Sequence, residues 1–148
     1  MIGLQTAARN IGTDPAADFD AVIIGAGVSG LYQLCRLRQL GLRVRVFETG
    51  TGVGGTWYWN RYPGARLDSE SWTYGYSFSQ ELLEEWDWEE HFAGQPETER
   101  YLNYVADKFG LRRDTQFKSR VTAAHYQEDA RAAGTSSCRM AGVTPLAC

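Results

Sequence analysis

The sequence predicts an α/β fold whose nucleus is one strand–turn–helix–strand unit, and three observations predict it. A short β-branched apolar run, Phe19-Asp20-Ala21-Val22-Ile23-Ile24, leads directly into the glycine turn Gly25-Ala26-Gly27-Val28-Ser29-Gly30. Beyond the turn, Leu31, Leu34, Cys35 and Leu37 recur at helical spacing until Gly41 stops the run. Leu42-Arg43-Val44-Arg45-Val46-Phe47 then alternates apolar and basic residues and closes on an acid, Glu48.

The first strand, over 19–24, is apolar enough to be covered on both faces. Residues 49–78 are rich in glycine with interleaved aromatics and read as loop. Ser79 is placed to cap a helix over 80–92 that buries Leu82, Leu83 and Trp86. Gln95-Pro96-Glu97 opens the next helix, with proline in its first turn and an acid near its positive end. Tyr101, Leu102, Val105 and Phe109 share one face of it, and Gly110 closes it. Thr115 to Tyr126 reads as a third strand, with Phe117, Val121 and Ala123 on one side.

Three segments follow. Residues 1–18 are polar and aperiodic and read as a flexible lead; 19–130 hold the α/β unit. Residues 131–148, RAAGTSSCRMAGVTPLAC, lack acids, aromatics and any period. They read as an irregular tail: either an ordinary terminus or out-of-frame sequence in place of the natural continuation.

Composition excludes several classes of function. A net charge of −3 over 148 residues leaves no electrostatic footprint for nucleic acid. No apolar stretch approaches the roughly 20 residues that cross a bilayer, and the N-terminus has no basic start followed by an apolar segment. Three cysteines, Cys35, Cys138 and Cys148, without a CxxC pair or ligand spacing, argue against a zinc module or a disulfide scaffold, and no metal site is expected. A reduced, cytoplasmic location is the default expectation. His91 and His125 stand far apart in sequence and read as surface residues.

Thirteen of the 19 aromatics lie between Trp57 and Tyr104, including all five tryptophans. A packed aromatic subcore is the simpler reading; a pocket for a flat ligand is the other.

Glycine is common in turns, so a GxGxxG pattern is weak by itself. Here it follows a strand, opens a helix, and is answered by Glu48 18 residues after Gly30. Gly25 permits the tight turn, Gly27 clears space for a pyrophosphate, and Gly30 lets helix and strand pack closely. The helix N-terminus offers free N–H groups to phosphates, and Glu48 would accept hydrogen bonds from ribose hydroxyls. This is a Rossmann-like unit. A second glycine pair, Gly54-Gly55, just past the acid suits the further close approach that a flavin dinucleotide needs, with the nearby aromatics, Arg66 and Asp68 as candidate lining of the isoalloxazine pocket.

The string Gly54-Gly55-Thr56-Trp57-Tyr58-Trp59-Asn60-Arg61-Tyr62-Pro63-Gly64-Ala65-Arg66-Leu67-Asp68-Ser69-Glu70-Ser71, behind the glycine turn and Glu48, resembles the N-terminal part of the flavin-dependent Baeyer–Villiger monooxygenases. The resemblance runs to about residue 128 and covers roughly the first quarter of a family member. It implies a Rossmann-like FAD-binding domain of three-layer architecture, present here as its N-terminal half, a fragment inactive by itself. It implies FAD contacts at Ser29, Glu48, Thr56, Trp57, Tyr58, Trp59, Asp68, Tyr74 and Val121, the last meeting the adenine end. It implies that Arg66, Leu67 and Asp68 also meet NADPH, and that Asp68 positions a catalytic arginine from a later domain. Family members often carry Cys where this chain has Leu67. The implied reaction takes a ketone, oxygen and NADPH to an ester or lactone. Nitrogen- or sulfur-oxidising flavin monooxygenases and a non-catalytic nucleotide-binding product are the alternatives. A half-sheet would also leave an edge and an apolar face exposed.

Overall fold

The structure, a computed structural model, describes residues 18–128, 136–140 and 143–145. The lead at 1–17 lies outside the described residues, as do 131–135, 141–142 and 146–148 of the tail.

Strand β1 is Ala21–Ile24, helix α1 Val28–Gln39 and strand β2 Val44–Phe47. β1 and β2 pair in parallel, Ala21 opposite Val44 and Ile24 opposite Phe47. Short helices follow at α2 (Thr56–Trp59), α3 (Ser71–Tyr74) and α4 (Gln80–Glu85), then the long α5 (Gln95–Lys108). A 3-10 turn at Leu111–Asp114 leads into β3 (Thr115–Gln116), which pairs in parallel with the other edge of β2. The sheet order is therefore β1-β2-β3. Strands β4 (Ser119–Val121), β5 (Ala124–Glu128), β6 (Ser136–Met140) and β7 (Val143–Pro145) form two antiparallel pairs, β4 with β7 and β5 with β6.

The core forms where α1, β2 and α5 meet. Leu31 and Leu34 from α1, Val46 from β2, Leu102 and Val105 from α5 and Leu111 are at most 1% exposed. Each such side chain contributes about 1.5–3 kcal/mol of burial free energy. On the other face of β1, Val22 and Ile24 are 39% and 64% exposed, so β1 is covered on one side and not on both as expected. This is the open apolar face expected of a half-sheet.

Three other expectations are corrected. The helix expected over 80–92 stops at Glu85, although Ser79 caps it as expected by accepting from the Leu82 N–H at 3.3 Å. The chain leaves the helix because Trp86 turns onto Trp88, Tyr101 and Tyr104, with ring centroids 5.2–5.9 Å apart. Leu82 is buried, but Leu83 is 44% exposed. The single strand expected over 115–126 is broken into β3, β4 and the start of β5, because Lys118 takes a left-handed turn conformation (φ 53°). Its N–H then bonds back to the Gly50 carbonyl at 2.9 Å. Within the tail, 136–140 and 143–145 are strands rather than irregular chain; pairing uses main-chain groups, which an aperiodic sequence supplies as well as a periodic one.

The aromatic stretch is mostly a packed subcore. Tyr101 lies within 6.0 Å of Tyr76, Trp86 and Trp88 by ring centroid. Trp59, Tyr62 and Trp72 remain about 60% exposed and are not part of it.

Candidate functional site

Everything that singles out this region begins at the C-terminal ends of β1 and β2. Gly25 adopts φ +98°, a conformation that side chains rarely tolerate, and its N–H bonds the Phe47 carbonyl at 2.8 Å. This turn directs the chain into α1, whose N-cap is Gly27. A Cβ on Gly30 would lie 2.0 Å from the Gly25 carbonyl oxygen, so only glycine allows the helix to sit this close to the turn. The expected role of Gly30 in close packing is what the structure shows. Ser29 is exposed in the first turn of α1.

Glu48 follows β2 and is only 5% exposed. One oxygen accepts from the Ala26 N–H at 2.7 Å and the other from the Gly50 N–H at 2.6 Å. Its main chain is held as firmly, by Glu48 N–H to Gln116 O and Ser119 N–H to Glu48 O, both 2.9 Å. These bonds draw β4 alongside, and a cleft of about 480 Å³ opens between Gly25, Glu48, Thr49 and Val121. Gly25 of the glycine turn, the acid and Val121, expected at one nucleotide, are brought together there. Thr49 and Thr122 also line the cleft. Sequence reasoning missed them because their part depends on the turn at Lys118.

The second glycine pair meets the first. The Gly54 N–H donates to the Ala26 carbonyl at 3.0 Å, and a Cβ on Gly55 would stand 2.7 Å from the Gly27 Cα. The cleared side of Gly27 is therefore occupied by the Gly55 main chain, a close approach of backbone to backbone that the sequence reading did not anticipate. It sets the start of α2 beside the start of α1.

The aromatics of α2 are distributed unevenly. Trp57 is 9% exposed and donates its indole N–H to the Tyr74 hydroxyl at 2.7 Å, the rings meeting edge-on. Its carbonyl accepts from the buried Gln95 side chain at 2.5 Å. Tyr58 lies against Gly50, Gly52 and Gly54, and its hydroxyl pairs with that of Thr51 at 2.7 Å. The Thr51 hydroxyl and N–H bonds lower the Tyr58 phenol from its usual pKa. Thr56 and Trp59 face solvent. Around the next expected positions, Arg66 bonds Glu90 and the Phe92 carbonyl, each at 3.2 Å, and Leu67 is buried at 3%. Asp68 is exposed and makes no hydrogen bond or ion pair among the described residues. Tyr76, which the sequence did not single out, donates its hydroxyl to the Val28 carbonyl at 2.5 Å and so steadies the first turn of α1. Burial pushes its phenol pKa well above the usual value.

No group of three or more metal-binding side chains occurs among the described residues, and no helix among them is long and apolar enough to cross a membrane.

Residues 23–84 match the NAD(P)-binding Rossmann-like domain, which is the class that the fold and the glycine-loop cleft define. Among known proteins, the chain is 54% identical over 110 residues to an acetone monooxygenase (methyl acetate-forming) of Gordonia sp. strain TY-5, covering 74% of this chain and 21% of that protein. It is 51% identical over 111 residues to a phenazine N-monooxygenase of Lysobacter antibioticus, covering 74% of this chain and 20% of that protein. A solved structure of OTEMO in complex with FAD and NADP superposes with a TM-score of 0.72 at 53% identity, over 77% of this chain and 21% of that one. The chain is a homologue of the flavin-dependent Baeyer–Villiger monooxygenases and matches the N-terminal part of their FAD-binding domain. It spans about a fifth of the length of the curated relatives it matches.

Proposed function

We propose that residues 19–130 form the N-terminal part of the FAD-binding domain of a monooxygenase that oxidises ketones to esters or lactones with NADPH and molecular oxygen. The observation that carries this reading is the cleft at the C-terminal ends of β1 and β2, in which Gly25 of the glycine turn, Glu48 and Val121 meet. The tight turn beside it supports a dinucleotide: Gly25 is in a glycine conformation, and the place where a Cβ of Gly30 would sit is taken by main chain. Gly25, Gly27, Ser29 and Gly30 would surround the pyrophosphate, where the N–H groups and positive end of α1 favour negative charge. Glu48 and Val121 would take the adenosine. Gly55, Thr56, Trp57, Tyr58, Trp59, Asp68 and Tyr74 would serve the flavin side, and Arg66, Leu67 and Asp68 the NADPH side. Leu67, with its side chain buried, has only its main chain to offer. FAD supplies the redox chemistry when bound; the protein orients it and excludes water. Asp68, an exposed carboxylate without a partner among the described residues, suits the task of holding a cationic side chain near the flavin. We place the protein in the cytoplasm, in keeping with the free, buried Cys35.

The phenazine N-monooxygenase at 51% identity favours a second reading, oxidation at nitrogen. The test is a chimera in which residues 19–121 replace the matching part of the acetone monooxygenase. Ketone-dependent NADPH consumption with ester formation is expected, and Asp68→Ala in the chimera should lower that turnover more than FAD retention. A chimera that binds FAD but oxidises only amines or N-heterocycles would overturn the ketone reading.

A further inference from the structure

Glu48 is built into the structure more tightly than a group facing only a ribose would need to be. Its two carboxylate oxygens are divided between two loops, one accepting from Ala26 in the glycine turn and the other from Gly50 in the loop that leads to Gly54-Gly55. The same two loops touch again through the Gly54 N–H on the Ala26 carbonyl. They touch a third time where Gly27 and Gly55 approach so closely that neither has room for a Cβ in ordinary contact, at 3.3 and 2.7 Å from the other's Cα. The Glu48 main chain is fixed to β3 and β4, so the carboxylate refers both loops to the sheet. We propose that Glu48 is a positioning residue that assembles the dinucleotide site in advance, its carboxylate locking the 25–30 turn to the 49–55 loop. This rests on the dinucleotide reading of the cleft and assigns the acid a second duty beside any ribose contact.

The chemistry of the acceptor makes the proposal specific. An ionised carboxylate accepts at both oxygens and keeps further lone pairs free for a ligand hydroxyl. A glutamine of the same length presents one NH2 group, which must face either the Ala26 or the Gly50 N–H, donor against donor. One buried N–H is then left unpaired, and the loop that carries it is released.

The experiment compares ADP with 2′,3′-dideoxy-ADP, which lacks both ribose hydroxyls. Binding to the 148-residue chain and to Glu48→Gln is measured by calorimetry below the variant's unfolding transition, and amide hydrogen exchange is followed at Ala26 and Gly50. If the acid preassembles the site, Glu48→Gln weakens dideoxy-ADP by about tenfold and speeds exchange at one or both amides by a similar factor. If Glu48→Gln weakens ADP but leaves dideoxy-ADP unchanged, the acid acts only through the ribose and the proposal is overturned. Should the variant not fold, the unsubstituted protein still decides. The Ala26 and Gly50 amides must then be protected in ligand-free protein to an extent comparable with Val46 in β2; exchange at the rate of an unstructured peptide overturns the lock. An unsubstituted chain that protects both amides yet binds neither nucleotide would support the lock and refute the dinucleotide reading.

Discussion

An alanine at position 30 would carry a Cβ 2.0 Å from the Gly25 carbonyl oxygen and 3.1 Å from its carbonyl carbon. Real Cβ contacts essentially never fall below 3.0 Å, so the turn or the start of α1 has to retreat by about 1 Å. The obstacle is main chain, and Gly25 is pinned in place by its bond to Phe47. Two effects compete. Helix propensity favours alanine over glycine by about 1 kcal/mol. Overpacking costs about 1–3 kcal/mol, and a shift of this size against backbone belongs at the upper end of that range. The net expectation for Gly30→Ala is a loss of about 2 kcal/mol, or roughly 4–8 °C in unfolding temperature for a chain of this length. Urea denaturation followed by tryptophan fluorescence measures it. Gln33→Ala, on the exposed side of the same helix, serves as the control and should change stability by less than about 0.5 kcal/mol. A Gly30→Ala protein as stable as the parent, or more stable by the propensity term, would refute the argument that close approach decides this position.

Ser71 is 1% exposed; its hydroxyl accepts from the Ala93 N–H at 2.7 Å and donates to the Glu90 carbonyl at the same distance. Ser71→Ala leaves the Ala93 donor buried without an acceptor, and thermal unfolding should show a loss of about 1–3 kcal/mol. The Tyr101 hydroxyl accepts from the Tyr76 N–H at 2.7 Å, and burial pushes its pKa up to about 12. Because the folded-state value is raised, its stabilising effect is whole below the unfolded value near 10 and is lost as pH climbs towards 12. Urea midpoints should therefore fall steadily from pH 10 to 12, and a flat profile there would show that Tyr101 ionises freely.

The parts of this fold legible in the sequence are those decided locally. The turn from β1 into α1 needs glycines at fixed offsets, and α5 carries its own signals in Pro96, Glu97 and Gly110, so both stand where expected. Glu48 was legible as the acid after β2, but its side-chain bonds were not: Ala26 lies 22 positions earlier, across α1 and β2, and Gly50, two residues on, is turned back to the carboxylate by a loop without a period. The four-residue helices α2 and α3 fall in a stretch that reads as loop for a related reason. Each is too short to be stable alone and is held by tertiary bonds, Trp57 to Tyr74 and Gln95 in one case and Ser71 to the 90–93 strip in the other. The early end of α4 follows from where Trp86 finds aromatic partners, which no helical spacing reports. The break at Lys118 is a left-handed residue with no glycine or asparagine to announce it.

The central claim is that this chain recognises the adenylate half of a flavin dinucleotide, and a titration of the 148-residue chain with FAD and FMN, followed by flavin fluorescence, tests it most directly. Gly25, Glu48 and Val121 line the cleft at the end of the sheet, and FMN has no adenosine to place there. The expected result is FAD binding at least about tenfold tighter than FMN, a difference lost when Gly27→Leu forces the turn away from Gly55. Equal affinity for the two flavins, or FAD binding unchanged by Gly27→Leu, would contradict it.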